Sequence, residues 1–147
     1  MIARSLRRNQ AFIAGKWISS QDTFAVIDPG TMEKLENVAN LGRKECTEAI
    51  DAAEAALPAW KRLTGKQRGT YLRRIYELHL EHLDELAELL SYESGKPIVE
   101  SRSEVLYGAS YFEFFAGEAS RLYGETIPEP IDGRKLLTWR EPVGICG

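Results

Sequence analysis

A chain of 147 residues, 44% hydrophobic and 28% charged, has the size and composition of one modest soluble globular domain with its own core. Its net charge of −3 gives no general attraction to nucleic acid or to anionic membranes, and no apolar run reaches the roughly 18 residues that a membrane span needs. The two cysteines, Cys46 and Cys146, stand in unlike settings, which argues against a disulfide framework and against a paired-cysteine metal site and fits a reducing compartment.

The opening stretch from Met1 to Arg8 is basic and free of acids, yet too short for a mitochondrial presequence, because folded-looking sequence begins by Ala11. Residues 1–10 therefore read as a flexible, solvated tail, and residues 11–147 as the domain. The run Phe12-Ile13-Ala14-Gly15-Lys16-Trp17-Ile18 predicts a β-hairpin with Gly15-Lys16 at its turn. Phe24 to Ile27 predicts a second strand, stopped by the turn chemistry of Asp28-Pro29-Gly30, and Leu35 to Leu41 a return strand.

Helical spacing takes over at Cys46, Ile50, Ala53, Leu57 and Trp60, so an amphipathic helix is expected over about 43–61, with Pro58 kinking or closing its end. Thr64-Gly65-Lys66-Gln67 fits a capping box and marks the next helix start. From there Leu72, Ile75, Tyr76, His79, Leu83, Leu86, Ala87 and Leu90 keep one face apolar, with a break expected near His82. His79 falls on that stripe as a core residue, and His82 is expected to be exposed. Ser94-Gly95-Lys96-Pro97 ends the run with a C-cap glycine and a following proline. The next helix, about 98–123 and ended by Gly124, carries two seams. Val105, Ala109, Phe112, Ala116 and Ala119 form the first, and Tyr107, Tyr111 and Phe114 the second, with Phe115 beside it. A surface helix needs one seam, so this helix is expected to touch structure on two sides. Ile127-Pro128-Glu129-Pro130 reads as a connector, Asp132-Gly133 as a turn, and Lys135 to Glu141 as a strand or extended arm. Val143-Gly144-Ile145-Cys146-Gly147 resembles the first buried strand of a parallel sheet.

Residue chemistry alone yields no catalytic constellation. Six basic residues and no acid lie between Ala55 and Tyr76, but the aromatic residues do not interleave with them as a single-strand groove would need, Tyr71 alone standing among them. Gly144-Ile145-Cys146-Gly147 has the spacing of neither a Rossmann fingerprint nor a P-loop. Cys46 lies near a helix start, which could lower a thiol pKa, yet it sits on the apolar stripe and no base can be assigned. Both thiols are therefore expected to be packing residues. His79 and His82, spaced i,i+3 with no cysteine nearby, do not make a metal site.

Six short motifs in order resemble the amino-terminal part of the NAD(P)-dependent aldehyde dehydrogenases. They are Phe12-Ile13-Ala14-Gly15-Lys16-Trp17, Asp28-Pro29-Gly30-Thr31, Ala49-Ile50-Asp51-Ala52-Ala53, Glu93-Ser94-Gly95-Lys96-Pro97, Tyr123-Gly124-Glu125-Thr126-Ile127-Pro128 and Arg140-Glu141-Pro142-Val143-Gly144. Leu57-Pro58-Ala59-Trp60, Tyr71-Leu72-Arg73-Arg74 and the stretch 123–128 look most like the succinate-semialdehyde branch. The resemblance implies an α/β fold, of which this chain is the amino-terminal part. It would supply a short β-hairpin arm, a cluster of amphipathic helices and the first strand of the cofactor-binding sheet. It further implies oxidation of succinate semialdehyde to succinate in 4-aminobutyrate breakdown, with NAD or NADP, by a cytoplasmic homo-oligomer; in a eukaryote the mitochondrial matrix is the alternative.

In that family a cysteine attacks the aldehyde, a glutamate activates water and an asparagine stabilises the oxyanion. The resemblance puts all three beyond Gly147, so it assigns no catalytic and no cofactor-binding residue to this chain. The apolar run at Val143 to Gly147 reads as a truncation, and the chain alone is expected to be inactive and to bind no cofactor. Two family roles do carry over. Tyr107, with Tyr111 on the same seam, corresponds to the wall of the substrate tunnel, with interdomain packing as the alternative. Glu93 and the backbone of Ile27 correspond to a structural monovalent-cation site, with an ordinary surface carboxylate as the alternative. The rival to the whole reading is a non-catalytic binding or assembly module for a full-length paralogue.

Overall fold

Two successive residues with positive φ, Ala14 at 51° and Gly15 at 79°, reverse the chain in its first hairpin. That geometry suits the tight right-twisted connection between antiparallel strands. It joins β1 (Ala11–Ile13) to β2 (Lys16–Ile18), with Phe12 opposite Trp17 and their ring centroids 5.0 Å apart. The turn is thus Ala14-Gly15 and not the expected Gly15-Lys16, because Lys16 is already paired with Ile13. The computed structural model describes residues 6–147.

β3 (Thr23–Ile27) pairs antiparallel with β4 (Lys34–Ala39), from Thr23 opposite Ala39, with a register slip between Val26 and Ile27. Asp28 makes the turn between them. Its Oδ1 accepts from the backbone N–H of Gly30 at 2.7 Å and of Thr31 at 3.3 Å. The preceding segment is bonded to this sheet: Arg7 Nη2 donates to the Leu35 carbonyl at 2.8 Å, and the Ala39 N–H donates to the Asn9 carbonyl at 2.9 Å. Half of the stretch read as a solvated tail is therefore held by β4, while residues 1–5 lie outside the described residues.

α1 (Arg43–Lys61) begins where the Gly42 N–H donates to Glu45 Oε2 at 3.0 Å, and it runs past Pro58 to the expected end. Backbone N–H groups around the Glu45 carboxylate hold its pKa below the ordinary range. None of α1 is buried. α2 (Gly65–Glu81) starts with the expected capping box. The Gln67 N–H donates to Thr64 Oγ1 at 3.2 Å, and the Thr64 N–H donates to Gln67 Oε1 at 2.9 Å. His82 separates it from α3 (Leu83–Ser94), which closes on Gly95 at a φ of 72°. α4 (Ile98–Glu118) follows Pro97 and packs along both α2 and α3.

Small residues make the centre of this helical layer. Ala87, Ala109 and Ser101 are the fully buried side chains from α3 and α4, and Gly69 is the buried residue of α2. A Cβ on Gly65 would sit 2.1 Å from the Ala119 carbonyl oxygen, and one on Gly69 would sit 2.7 Å from that of Ala116. The two helices thus touch backbone to backbone.

Three expectations change at the carboxyl side. α4 ends at Glu118 with Ala119 as its cap, five residues short of Tyr123, and the Ala119 carbonyl is the group that approaches Gly65. Gly124 does other work: a Cβ there would lie 2.1 Å from the Thr138 carbonyl oxygen, so glycine lets β5 (Thr126–Ile127) meet β6 (Leu136–Leu137). Residues 143–147 carry no strand, and Val143 is 94% exposed. A parallel strand takes its hydrogen bonds from neighbours on either side, and no described residue offers them.

Glycine normally weakens a helix by about 1 kcal/mol relative to alanine. At the α2–α4 contact the sign reverses. Gly69→Ala is expected to lower stability by about 1–3 kcal/mol through overpacking, read as a fall in the urea midpoint with an unchanged slope. A neutral or stabilised variant would mean that the helices do not meet there. Thr64→Ala, which removes the α2 cap, is expected to cost about 1 kcal/mol in the same assay.

Candidate functional site

The two seams of α4 part company in the fold. Ala109 is buried, and Val105, Phe112, Ala116 and Ala119 are partly covered on the side turned to α2 and α3. The second seam faces outward: Tyr107 is 64% and Tyr111 48% exposed, with Phe114 and Phe115 exposed beyond them. Four residues apart on one helix, the two tyrosines meet edge to face, with centroids 5.0 Å apart and planes at 88°. Their hydroxyls share a hydrogen bond of 2.5 Å. That bond, then the neighbouring phenol's charge and then burial, pushes the Tyr111 pKa up.

A groove of about 490 Å³ runs between α3 and α4, with Leu86, Leu90, Glu93, Glu104, Val105 and Tyr107 among its lining residues. The helix pair is held in register by three links. Ser91 and the fully buried Ser101 share a hydroxyl–hydroxyl hydrogen bond of 2.8 Å, Lys96 pairs with Glu104, and Arg102 pairs with Asp84. The Ser101 link was missed from sequence although its signal was present, since Ser101 stands one turn before Val105 on the buried seam.

Ile27 and Glu93 lie on segments that the fold brings together. The Pro29 ring, two residues after Ile27, packs on Gly95, two residues after Glu93; a Cβ on Gly95 would lie 2.8 Å from Pro29 Cγ. Glu93 makes no hydrogen bond or ion pair among the described residues, so its carboxylate oxygens are unengaged. No group of three or more His, Cys, Asp or Glu side chains suited to a metal ion occurs among the described residues. A hard cation here would therefore complete its oxygen shell with backbone carbonyls and water.

The remaining candidates sit as follows. Cys46 and Cys146 are both exposed, contrary to the packing roles expected of them. α1 buries no residue, and residues 143–147 have no strand partners, so neither sulfur has a core to enter. His79 is half-buried, its Nδ1 2.8 Å from the Ile75 carbonyl oxygen and its ring 5.2 Å from Phe112. His82 is partly buried rather than exposed and lies 3.3 Å from Glu85. Much of the basic stretch is bound to acids: Arg73 to Glu77 and Glu113, Arg74 to Glu77 and Glu81, and Lys61 to Glu141. Among the described residues no helix is long and apolar enough to cross a membrane.

The sequence model described as the aldehyde dehydrogenase family matches residues 17–147. The chain belongs to the aldehyde dehydrogenase family. It is 43% identical over 142 residues to glutarate-semialdehyde dehydrogenase of Pseudomonas putida, covering 95% of this chain and 30% of that one. It is also 43% identical over 143 residues to the Escherichia coli succinate-semialdehyde dehydrogenase designated for NADP(+), covering 96% of this chain and 30% of that one. The crystal structure of succinate-semialdehyde dehydrogenase from Burkholderia pseudomallei superposes with a TM-score of 0.95 at 40% identity, covering 99% of this chain and 31% of that one. The chain thus spans about 30% of the length of the curated relatives it matches.

The tyrosine pair yields a pH prediction. Its hydrogen bond stabilises the fold while both phenols are protonated, so the contribution is complete at neutral pH. It is lost as the pH rises through the elevated Tyr111 pKa, above the ordinary phenol value near 10. In Tyr107→Phe, the phenol of Tyr111 is expected to titrate at lower pH, followed by phenolate absorbance near 295 nm. An unchanged titration curve would show that the two hydroxyls are not bonded.

Proposed function

We propose that this chain is the amino-terminal portion of an NAD(P)-dependent aldehyde dehydrogenase that oxidises succinate semialdehyde to succinate, a step in 4-aminobutyrate degradation. The observation that carries this reading is 43% identity over nearly the whole chain to a succinate-semialdehyde dehydrogenase named for NADP(+). Likeness to a glutarate-semialdehyde enzyme supports a second substrate of the same kind, one carbon longer. The complete enzyme works as a cytoplasmic homo-oligomer in this reading.

Within it, the chain builds walls rather than reacting groups. Aldehyde oxidation through a covalent intermediate needs a thiolate, a base and an oxyanion donor held within reach of one another. Neither described thiol hydrogen-bonds to a histidine or carboxylate, and no base is placed to activate either. NAD or NADP, when bound to the complete enzyme, accepts the hydride. Tyr107 and Tyr111 line the aldehyde's path. The Ile27 carbonyl and the Glu93 carboxylate supply two oxygens to a structural monovalent cation that ties the β3–β4 turn to the end of α3. The alternative, a non-catalytic assembly module, draws on the apolar side chains exposed along α4 and beyond residue 136.

The test is an assay of NAD(P)H formation with the purified 147-residue chain beside the complete enzyme that carries it. The complete enzyme is expected to prefer succinate semialdehyde over butanal in kcat/KM, and the chain alone to show no turnover. Cysteine-dependent aldehyde oxidation by the chain alone would contradict the division of labour. A complete enzyme that favours butanal would contradict the substrate.

A further inference from the structure

We infer that Tyr107 and Tyr111 work as a dyad, in which Tyr111 positions the Tyr107 hydroxyl so that a single phenolic O–H remains to bind the acidic far end of the substrate. The inference rests on the reading that this face of α4 lines the aldehyde's path, and it adds which chemical group the wall recognises.

Two phenols carry two protons. One is consumed in the bond between the hydroxyls, so one donor is left over. Tyr107 is the more exposed of the two and lines the α3–α4 groove, whereas Tyr111 lies one turn further along, off the groove. With Tyr111 donating inward to the Tyr107 oxygen, the Tyr107 proton points to open space. A hydroxyl that accepts one hydrogen bond also becomes a stronger donor in the next. The edge-to-face stacking of the rings holds the Tyr107 ring, and with it the position of its hydroxyl oxygen.

The surroundings define the ligand. Leu86, Leu90 and Val105 line the α3–α4 groove together with Tyr107 and offer an apolar wall to a short methylene stem. Of the acids on α4, Glu104, one turn before Tyr107, is paired with Lys96, and Glu113 is paired with Arg73; Glu93 of α3, which lines the same groove, is balanced by the monovalent cation proposed above. One aimed O–H beside an apolar wall suits an aldehyde whose other end is a carboxylate, held by a charge-assisted hydrogen bond. Tyr107 is then the substrate contact and Tyr111 the positioning residue.

The experiment is steady-state kinetics of the complete enzyme and its Tyr107→Phe, Tyr111→Phe and double variants. The probes are succinate semialdehyde and butanal, an uncharged aldehyde of equal carbon number. Phenylalanine keeps the ring packing, so folding is preserved. Each single variant is expected to raise KM for succinate semialdehyde about tenfold, with kcat and the butanal parameters within about twofold. The double variant is expected to be no worse than either single one, because the two residues form one unit. If Tyr107→Phe raises that KM while Tyr111→Phe leaves it unchanged, the dyad is overturned and the tunnel reading stands. Equal effects on both aldehydes overturn recognition of the acidic end. If no variant alters the kinetics of either aldehyde, the tunnel reading falls as well.

Discussion

The contact between α2 and α4 at Gly65 and Gly69 sets the rest of the helical layer. With no Cβ at these two positions of α2, the carbonyls of Ala116 and Ala119 come within reach of its backbone. A helix pair this close leaves no room for large side chains between its axes at Gly65 and Gly69, and the buried side chains elsewhere in the layer are small as well: Ala87 of α3, Ala109, and Ser101 facing Ser91. The bulky residues of α4 are then driven to its flanks. Phe112 goes toward His79 on α2, and Tyr107, Tyr111, Phe114 and Phe115 go outward. α4 ends at this contact, at Glu118, and the chain continues to the β5–β6 hairpin.

The outward aromatic ridge and the groove beside α3 follow from that arrangement. α3 and α4 are held by the buried Ser91–Ser101 bond and flanking ion pairs, which give the groove a fixed register. The Pro29–Gly95 contact then brings the β3–β4 turn to the loop between the two helices, two residues beyond Glu93. Trp139 and Val143, at 84% and 94% exposure, are of the kind that a complete domain covers, and the chain spans about 30% of its relatives' length.

Local chemistry was readable from the residues alone. The Thr64–Gln67 capping box, the Gly95 C-cap and the break at His82 each depend on a few neighbouring residues, and each stands where its pattern placed it. The two seams of α4 were equally legible, because helical periodicity separates faces without reference to partners. What depends on distant segments was not. Gly65 and Gly69 look like weak helix residues until α4 is laid against them. Gly124 looks like a helix stop until Thr138 returns beside it, and the apolar run at 143–147 looks like a strand whether or not partner strands exist. The tyrosine pair lay between these cases: its spacing was visible, but the bond between its hydroxyls was not.

The most direct test of the account is a crystal structure of the complete enzyme with succinate, the product, bound in the aldehyde's path. The account predicts the Tyr107 hydroxyl within about 3 Å of a succinate carboxylate oxygen, with Tyr111 still bonded behind it and α2 still touching α4 at Gly65 and Gly69. An outer face of α4 sealed against other protein segments, with succinate bound elsewhere, would contradict it.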